Sequence, residues 1–550
     1  MPWGNTARLH AAFAGLAIAC AASLHAEIGS SYKYVAFSGQ SAPGGGVYST
    51  FSTPRIGQDG SVGFVGVLAS TSFADSRVYA GRPGALQLVA AVGDSAPGAD
   101  GFNFTSFSNV AVNSTGLAVF SATAQSEGTL SGLWTTGPEL GLLEGDALGA
   151  VTGSSVSAIE APSLNAQGRM AAKVQLSLLP ESTSSAVALG QPGKMTALLQ
   201  EGDAAPGFPG GVVISNLYED DPANDRVDQN DAGMVAFKAH AVPSATPSSF
   251  EVLYAGKPGN LQPAAVQKNA APGIANAIYS GFQADPSLSS DGKLAIVADL
   301  AQSDMEGAAV PSRAVFAGVP GALKPIVRDG DSVPGKPGAT FTNLAHACVN
   351  ETGDVVFKAD ILYPNESTRP SIWVQRIDGN PVLIAASGVT FDTPAGAAEA
   401  TNVDFAGPGA FNDLHEVVFK ADFAASGSGV YIADTRPFIP WLHLTNPRKR
   451  RDFVTMNDFI VLRGTAQDAT GIAKIEYSVT RSVQKKKQGT GRRIVRVTTP
   501  VKLAKGDKVW SFRVPLAMGL NAITITATDK LGNVSEPLKV LVLRYTCDSQ

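Results

Sequence analysis

Four kinds of residue cluster in this chain could do chemistry. The Asp of a recurring G-D-x-A-P-G phrase stands at Asp94, Asp146, Asp203 and Asp331. Repeated carboxylates could line a cation or sugar site, but Gln40, Asn269 and Val389 replace them in other copies, so capping of local turns is the expectation. An acidic run, Tyr218–Asp231, offers Asp220, Asp221, Asp225 and Asp228 as oxygen ligands for Ca²⁺, the one cofactor left open. It lacks EF-hand spacing, and a solvated loop is expected there. Two basic clusters suit polyanions such as acidic glycans, lipopolysaccharide or nucleic acid. One is Arg448, Lys449, Arg450 and Arg451; the other is Lys485, Lys486, Lys487, Arg492 and Arg493, which reads as a hairpin tip. A solvated loop, or a face docked on the acidic part of the chain, is the plainer reading of each. No aromatics interleave the second cluster, which argues against specific single-strand nucleic-acid recognition.

The remaining candidates are weaker. "GDSVPGKP" (Gly330–Pro337) imitates a phosphate loop, but Pro337 replaces the hydroxyl residue and no helix is expected after it. His240, His346, His415 and His443 have no metal spacing, and no G-x-S-x-G elbow is present. His346 and Cys348 share a strand face and could form a thiol–imidazole pair, although burial is the simpler account. Binding is therefore favoured over catalysis.

Charge is split along the chain. Residues 438–550 carry 20 Lys and Arg against 8 Asp and Glu; the rest carries 22 against 39. The first residues, Arg8 followed by the uncharged apolar stretch Leu9–Ala26, read as a secretory signal peptide over 1–26. An uncleaved anchor is the alternative, and Cys20 raises a lipoprotein reading that Ala17, in place of the usual Leu, counts against. Nothing later resembles a membrane span. A secreted, extracellular or periplasmic monomer is expected. Cys348 and Cys547 do not make a disulfide framework in a chain of this length.

These residues must be positioned by β-structure, since 58 Gly and 34 Pro punctuate the chain about every ten residues. One unit recurs seven times. Its turn is Asn113…Gly116, Asn165…Gly168, Asn230…Gly233 and Asn350…Gly353, with degenerate copies Gly57…Gly60, Ser289…Gly292 and Asn412…His415. The first residue can bond the backbone ahead of it, and Gly at the fourth position supplies positive φ. His415 should be strained or rearranged. Five and seven residues after each turn begins come apolar pairs such as Val62/Phe64, Val235/Phe237 and Val417/Phe419, with a small or β-branched residue between them. Both faces of that strand are apolar, so it lies between two layers. An aromatic strand follows (Tyr79, Trp134, Tyr254, Phe316, Trp373, Tyr431; Ala188 is the exception), and then the strand entering G-D-x-A-P-G.

That makes about four strands per unit, the count of a propeller blade. The seventh copy lacks its last strand, whereas "YKYVAFSGQSAPG" (Tyr32–Gly44) supplies one at the other end. The expectation is an all-β chain: a seven-bladed propeller over 27–438, closed by its N-terminal strand, which leaves no bare sheet edges.

Residues 32–438, best in "NDAGMVAFKA" (Asn230–Ala239), resemble the NxxGxxAF tandem-repeat family of secreted bacterial proteins. That resemblance implies export and surface attachment and lends no catalytic residues. "LSSDGKLAIVADL" also looks like the propeller repeats of periplasmic TolB-type proteins and of oligopeptidase gating domains.

Over 439–550 the alternating segments Phe459–Val479, Trp510–Asn533 and Leu538–Tyr545 read as an Ig-like β-sandwich, and G-x-N-x-I-x-I-x-A-x-D-x-x-G-N resembles bacterial Ig-like modules. The expected function is a binding or scaffolding protein for a glycan, an anionic cell-surface polymer or a protein partner. The alternative is an extracellular polysaccharide hydrolase or lyase with its site at the propeller's axial mouth. Two carboxylates about 5–9 Å apart beside an aromatic platform would mark the enzyme. A lining of small residues would mark the binder.

Overall fold

The structure is a computed structural model. It describes residues 32–545 except 70–74, 138, 149–152, 179–181, 219–225, 246–247, 285, 303–311, 377–378, 426, 437–439, 447–451, 469–470, 487–491, 500–501, 504–508, 531–532 and 536. The described residues form β-strands and no helices, so no helix among them is long and apolar enough to cross a membrane. The chain divides into two compact units, one of Lys33–Arg436 and one carrying Pro437–Gln550.

The first unit holds seven small antiparallel sheets, one per repeat copy. In the first sheet the order is Tyr48–Phe51, Val62–Leu68, Asp75–Gly81, Gln87–Ala91, and the short strand Arg55–Ile56 also pairs with Val62–Leu68. The opening strand of a sheet is thus usually in two pieces, and the first piece often carries a register shift, as between Tyr48 and Thr50 or Val156 and Ala158. Such an irregularity bends the strand and re-aims the residues after it. The last residues before the N-x-x-G turns face one common region.

The strand after the turn is buried on both faces. Val62, Phe64, Phe120, Phe237, Val355, Phe357 and Phe419 are fully buried, and so are the intervening Val119, Ala171, Ala236 and Val356. The size limit at the intervening position has a cause in the neighbouring sheet. A Cβ on Gly63 would overlap the Val112 Cγ2 methyl of the second copy.

Each buried Phe faces the aromatic of the next strand in register: Phe64 with Tyr79, Phe120 with Trp134, Phe237 with Tyr254, Phe357 with Trp373, Phe419 with Tyr431. Ring centroids in three of these pairs lie 5.7–5.8 Å apart, within the range where aromatic pairs attract beyond their burial. The third copy departs on both strands at once. Ala172 faces Ala188, so the missing aromatic is matched by a missing partner.

The turns explain the repeat's letters. The Asn113 side-chain oxygen accepts from Thr115 N and Leu117 N, both at 2.9 Å, and Asn165, Asn350 and Asn412 repeat the arrangement. In the first copy, where Gly57 has no side chain, Asp59 takes over by accepting from Ser61 N at 2.9 Å. His415 keeps the same turn hydrogen bond to Asn412 O (3.1 Å) at φ 62°. The turn is therefore not rearranged. The positive φ persists, with His415 Nδ1 3.1 Å from a carboxylate oxygen of Asp354.

The sheets touch in sequence order, and the seventh touches the first. Asn412 Nδ2 donates to Gly57 O (3.1 Å), Asp413 N to Gln58 Oε1 (2.6 Å) and Ile56 N to Gly409 O (2.7 Å). The strand Tyr32–Phe37 lies beside Gly427–Asp434 at the edge of the seventh sheet. Ser38 N donates to Ser428 O at 2.9 Å, and Phe37 packs on Phe423. That sheet would otherwise end on a bare strand.

In the second unit, Trp441–Asn446, Phe459–Gln467 and Val509–Pro515 form one sheet. Asp452–Thr455, Leu538–Arg544, Gly519–Asp529, Ile472–Lys486 and Arg492–Thr498 form the other, with Lys502–Leu503 paired to Ile472–Lys486. Both contribute to one core around Leu462, Trp510, Ile523, Ile525, Val540 and Val542. The buried Asn521 amide donates to Ala517 O (2.8 Å) and Gly519 O (3.0 Å), and Asp529 accepts from Asn533 N (2.7 Å). The G-x-N and D-x-x-G-N letters are thus turn chemistry.

Candidate site where the seven inner strands converge

The residues just before the turns come together. One cavity of about 90 Å³ takes lining from every copy: Ile56 and Gln58, Ala111 and Asn113, Ser163, Asp228 and Asn230, Ser287 and Ser290, Val349, and Gly409 with Phe411. The lining is polar and mostly small. Turn amides stitch its rim. Asn113 Nδ2 donates to Asn165 O (2.8 Å), Asn230 Nδ2 to Ser289 O (3.0 Å) and Asn412 Nδ2 to Gly57 O (3.1 Å). In each case the acceptor is the first turn residue of the next copy. The signature Asn therefore closes its own turn with one atom and reaches its neighbour with the other. Asp231 ties three copies by accepting from Ser114 Oγ (2.7 Å) and Ala166 N (2.6 Å).

Two residues before the turn, five copies carry Ala, Ser or Cys, while the first carries Arg55 and the fourth Asp228. Asp228 and its neighbour Arg226 are more than nine-tenths buried, as is Arg55. Asp228 accepts from Leu288 N (2.8 Å) and Gln229 N (3.1 Å), with Arg226 Nη2 3.9 Å away. Burial raises its pKa, and Arg226 opposes that shift. The Arg55 Nη1 donates to Ala406 O (2.6 Å) and Pro408 O, and Arg226 Nη1 donates to the same Pro408 O (3.0 Å). Two guanidiniums from the first and fourth copies thus share one carbonyl of the seventh. Gly409, at φ 81°, fits between them; a Cβ there would stand 3.4 Å from Arg55 Cδ and from Arg226 Nη2.

The sulfur and imidazole nearby are quiescent. Cys348 donates its thiol to Gly407 O (2.6 Å), and burial pushes its pKa up to about 12. Burial lowers the pKa of His346 to about 4. At neutral pH this makes a protonated thiol and a neutral ring, not the thiolate that nucleophilic chemistry needs.

The residues singled out from the sequence are placed as follows. The carboxylates of Asp94, Asp146, Asp203 and Asp331 each accept from the N–H three residues back, at 2.8–2.9 Å, and so cap their turns. The imitation phosphate loop is one of these turns and runs into the strand Thr340–Thr342. Asp220, Asp221 and Asp225 lie outside the described residues. Asp228, expected in a solvated loop, is instead a buried part of the cavity wall, because the short strand Asp228–Gln229 pairs with Val235–Ala236 and carries it inward. Among the described residues no three His, Cys, Asp or Glu gather as a metal site. Lys485 pairs with Arg493 and Lys486 with Arg492 across a hairpin; their side chains, Lys487 and Arg448–Arg451 lie outside what is described.

Sequence reasoning missed Arg55 and Arg226. For Arg55 the available signal was a charged residue at a repeat position mostly held by small ones; the position of Arg226 varies among copies and gave none. It also missed a lysine eight residues after the turn begins, at Lys173, Lys238, Lys358 and Lys420. Lys238 reaches Phe282 O (3.3 Å) and Lys358 reaches Asp404 (2.6 Å), each in the next sheet.

Among solved structures, the chain is similar to the fibronectin(III)-like modules of Clostridium thermocellum CbhA, at 15% identity over 38% of this chain and 96% of that one, TM-score 0.16. It is also similar to a hypothetical protein from Leishmania major (11%, 52% and 88%, TM-score 0.18) and to the bifunctional GH43-CE protein of Bacteroides eggerthii (11%, 93% and 60%, TM-score 0.19). No curated protein matches it. The family of unknown function DUF7453 matches residues 10–437, most of the chain, and the protein belongs to that family.

Proposed function

We propose that Lys33–Arg436 is a seven-bladed β-propeller latched by its own first strand, and that the protein is an exported binding or scaffolding protein, secreted or held at the cell surface. Its ligand would enter where the inner strands converge. The observation that carries this reading is the single cavity lined from all seven copies. Support also comes from the cyclic order of sheet contacts and from the pairing of Tyr32–Phe37 with Gly427–Asp434. Against the hydrolase or lyase alternative, both carboxylates of the lining are already engaged by protein groups. Phe411 is its one aromatic, Asp228 is held by backbone N–H groups beside Arg226, and Asp231 is held by Ser114 and Ala166. The C-terminal unit would serve as a spacer or as a contact for acidic polymers, in keeping with its positive balance.

A glycan and polyanion array probed with the mature protein tests the reading. Ser290→Trp, which adds bulk to the cavity lining, should remove binding of a small ligand while leaving the circular dichroism spectrum and Tm intact. Small-ligand binding that survives this change would place the site elsewhere. Polyanion contact has its own test: replacing Lys485, Lys486, Lys487, Arg492 and Arg493 with Ser should abolish retention on heparin. Unchanged retention would remove the hairpin from consideration.

A further inference from the structure

We infer that the converging strands bind a carboxylate monoanion, with Arg55 as its anchor; this rests on the binding reading above and names the ligand class. Arg55 is 8% exposed, yet among the described residues no carboxylate lies within ion-pair distance of its guanidinium. All its hydrogen bonds leave from Nη1, to the carbonyls of Ala406 and Pro408. Nε and Nη2 have no protein partner and are not sealed from solvent-sized space. The nearest counter-charge, Asp228, acts on it only from beyond ion-pair distance and is shared with Arg226, and a buried guanidinium so weakly balanced is a costly thing for a fold to keep. The two carbonyls need only one donor group between them, which a neutral side chain could supply.

The arrangement presents the free edge of a fixed fork, and a planar fork matches a carboxylate by two parallel N–H···O bonds. Charge sets the valence of the guest. Asp228 lies beside Arg226 and is already held by two N–H groups, so this one carboxylate is shared by two guanidiniums and the cluster keeps one positive charge in surplus. A single negative charge balances that surplus, and a dianion would overshoot it beside Asp228. Size sets a further limit. The neighbouring cavity of about 90 Å³ has room for roughly six to nine water-sized groups, at about 10–15 Å³ each. That suits a small acid, or one acidic sugar unit, rather than a length of polymer backbone.

Titration calorimetry on the mature full-length protein, at low salt, distinguishes the possibilities with three probes: acetate, glucuronate and glucose. Glucuronate should bind at least tenfold more tightly than glucose, its neutral counterpart, and acetate should compete with it. Arg55→Gln should weaken acid binding at least tenfold. Acetate binding without glucuronate binding would keep the inference and make the guest a small free acid. Three results would overturn it: glucose as tight as glucuronate, no acid binding at millimolar concentration, or unchanged affinity in a folded Arg55→Gln. The comparison of acid with neutral probe needs no variant, so it decides the matter even if Arg55→Gln does not fold. A neutral ligand displaced by Ser290→Trp would leave the binding reading standing and remove only the carboxylate.

Discussion

Oxidised Ser38→Cys/Ser428→Cys protein is expected to unfold at a markedly higher temperature than its reduced form. Ser38 N donates to Ser428 O at 2.9 Å, Ser428 N donates to Ser38 Oγ at 3.0 Å, and the two hydroxyls stand 3.4 Å apart. Cysteines at paired positions this close can meet with little backbone movement. The bridge would close a loop of 390 residues, and loop-closure entropy makes such a cross-link worth about 5 kcal/mol, the upper end of what disulfides deliver. Native strain would subtract from that figure. The native Cys348 should not interfere, because it is buried and its thiol stays protonated. Calorimetry with and without reductant reads the effect. A bridge that fails to form, or forms without raising Tm, would mean that the first strand does not sit on the seventh sheet.

Trp373→Ala carries the largest expected loss from a single side chain. Trp373 is fully buried between Phe357, its cross-strand partner, and Phe341, whose ring stands at 83° to it with centroids 5.0 Å apart. Its indole N–H donates to Ser371 Oγ at 2.7 Å. Truncation removes the ring's burial, leaves a cavity and takes one donor from the Ser371 hydroxyl, which together should cost about 3–5 kcal/mol. Denaturant unfolding followed by fluorescence measures it. Ala188→Val in the third copy is the useful contrast, since Ala172 faces it and no ring is lost. A loss under about 1 kcal/mol for Trp373→Ala would contradict the idea that each sheet is held by its own aromatic pair.

The repeat was legible because copying exposes physical necessity. Asn and Gly persist where a side-chain acceptor and positive φ are needed, and Phe persists where a ring has a ring to face. The third copy shows the limit of reading one strand at a time. Ala188 looks like an exception until Ala172 is seen opposite it, and then the pair is consistent. Of the two outcomes open to His415, strain or rearrangement, the structure has the first, with φ at 62°. The turn hydrogen bond survives, and Asp354, which shares the next turn along with Asn350, supplies the compensating contact.

The site was much less legible. Arg55 and Arg226 are 171 positions apart, and neither sits in a motif; they meet only because strands from the first, fourth and seventh copies converge on Pro408. The stitching by Asn amides was hidden for the same reason, since the acceptor is a backbone carbonyl one repeat away. Backbone carbonyls leave no letter in a sequence. The acidic run misled because Asp228 was grouped with its chain neighbours, whereas the short strand it belongs to turns it inward.

The central claim is that the chain's beginning completes its last repeat sheet, and amide hydrogen exchange on the unmodified protein tests it most directly. Those backbone amides of Lys33–Ser38 that face Gly427–Asp434 should be protected far above the rate of a free peptide, because the two strands belong to one hydrogen-bonded sheet. Exchange of Lys33–Ser38 at the rate of a free peptide, with Gly427–Asp434 still protected, would contradict it.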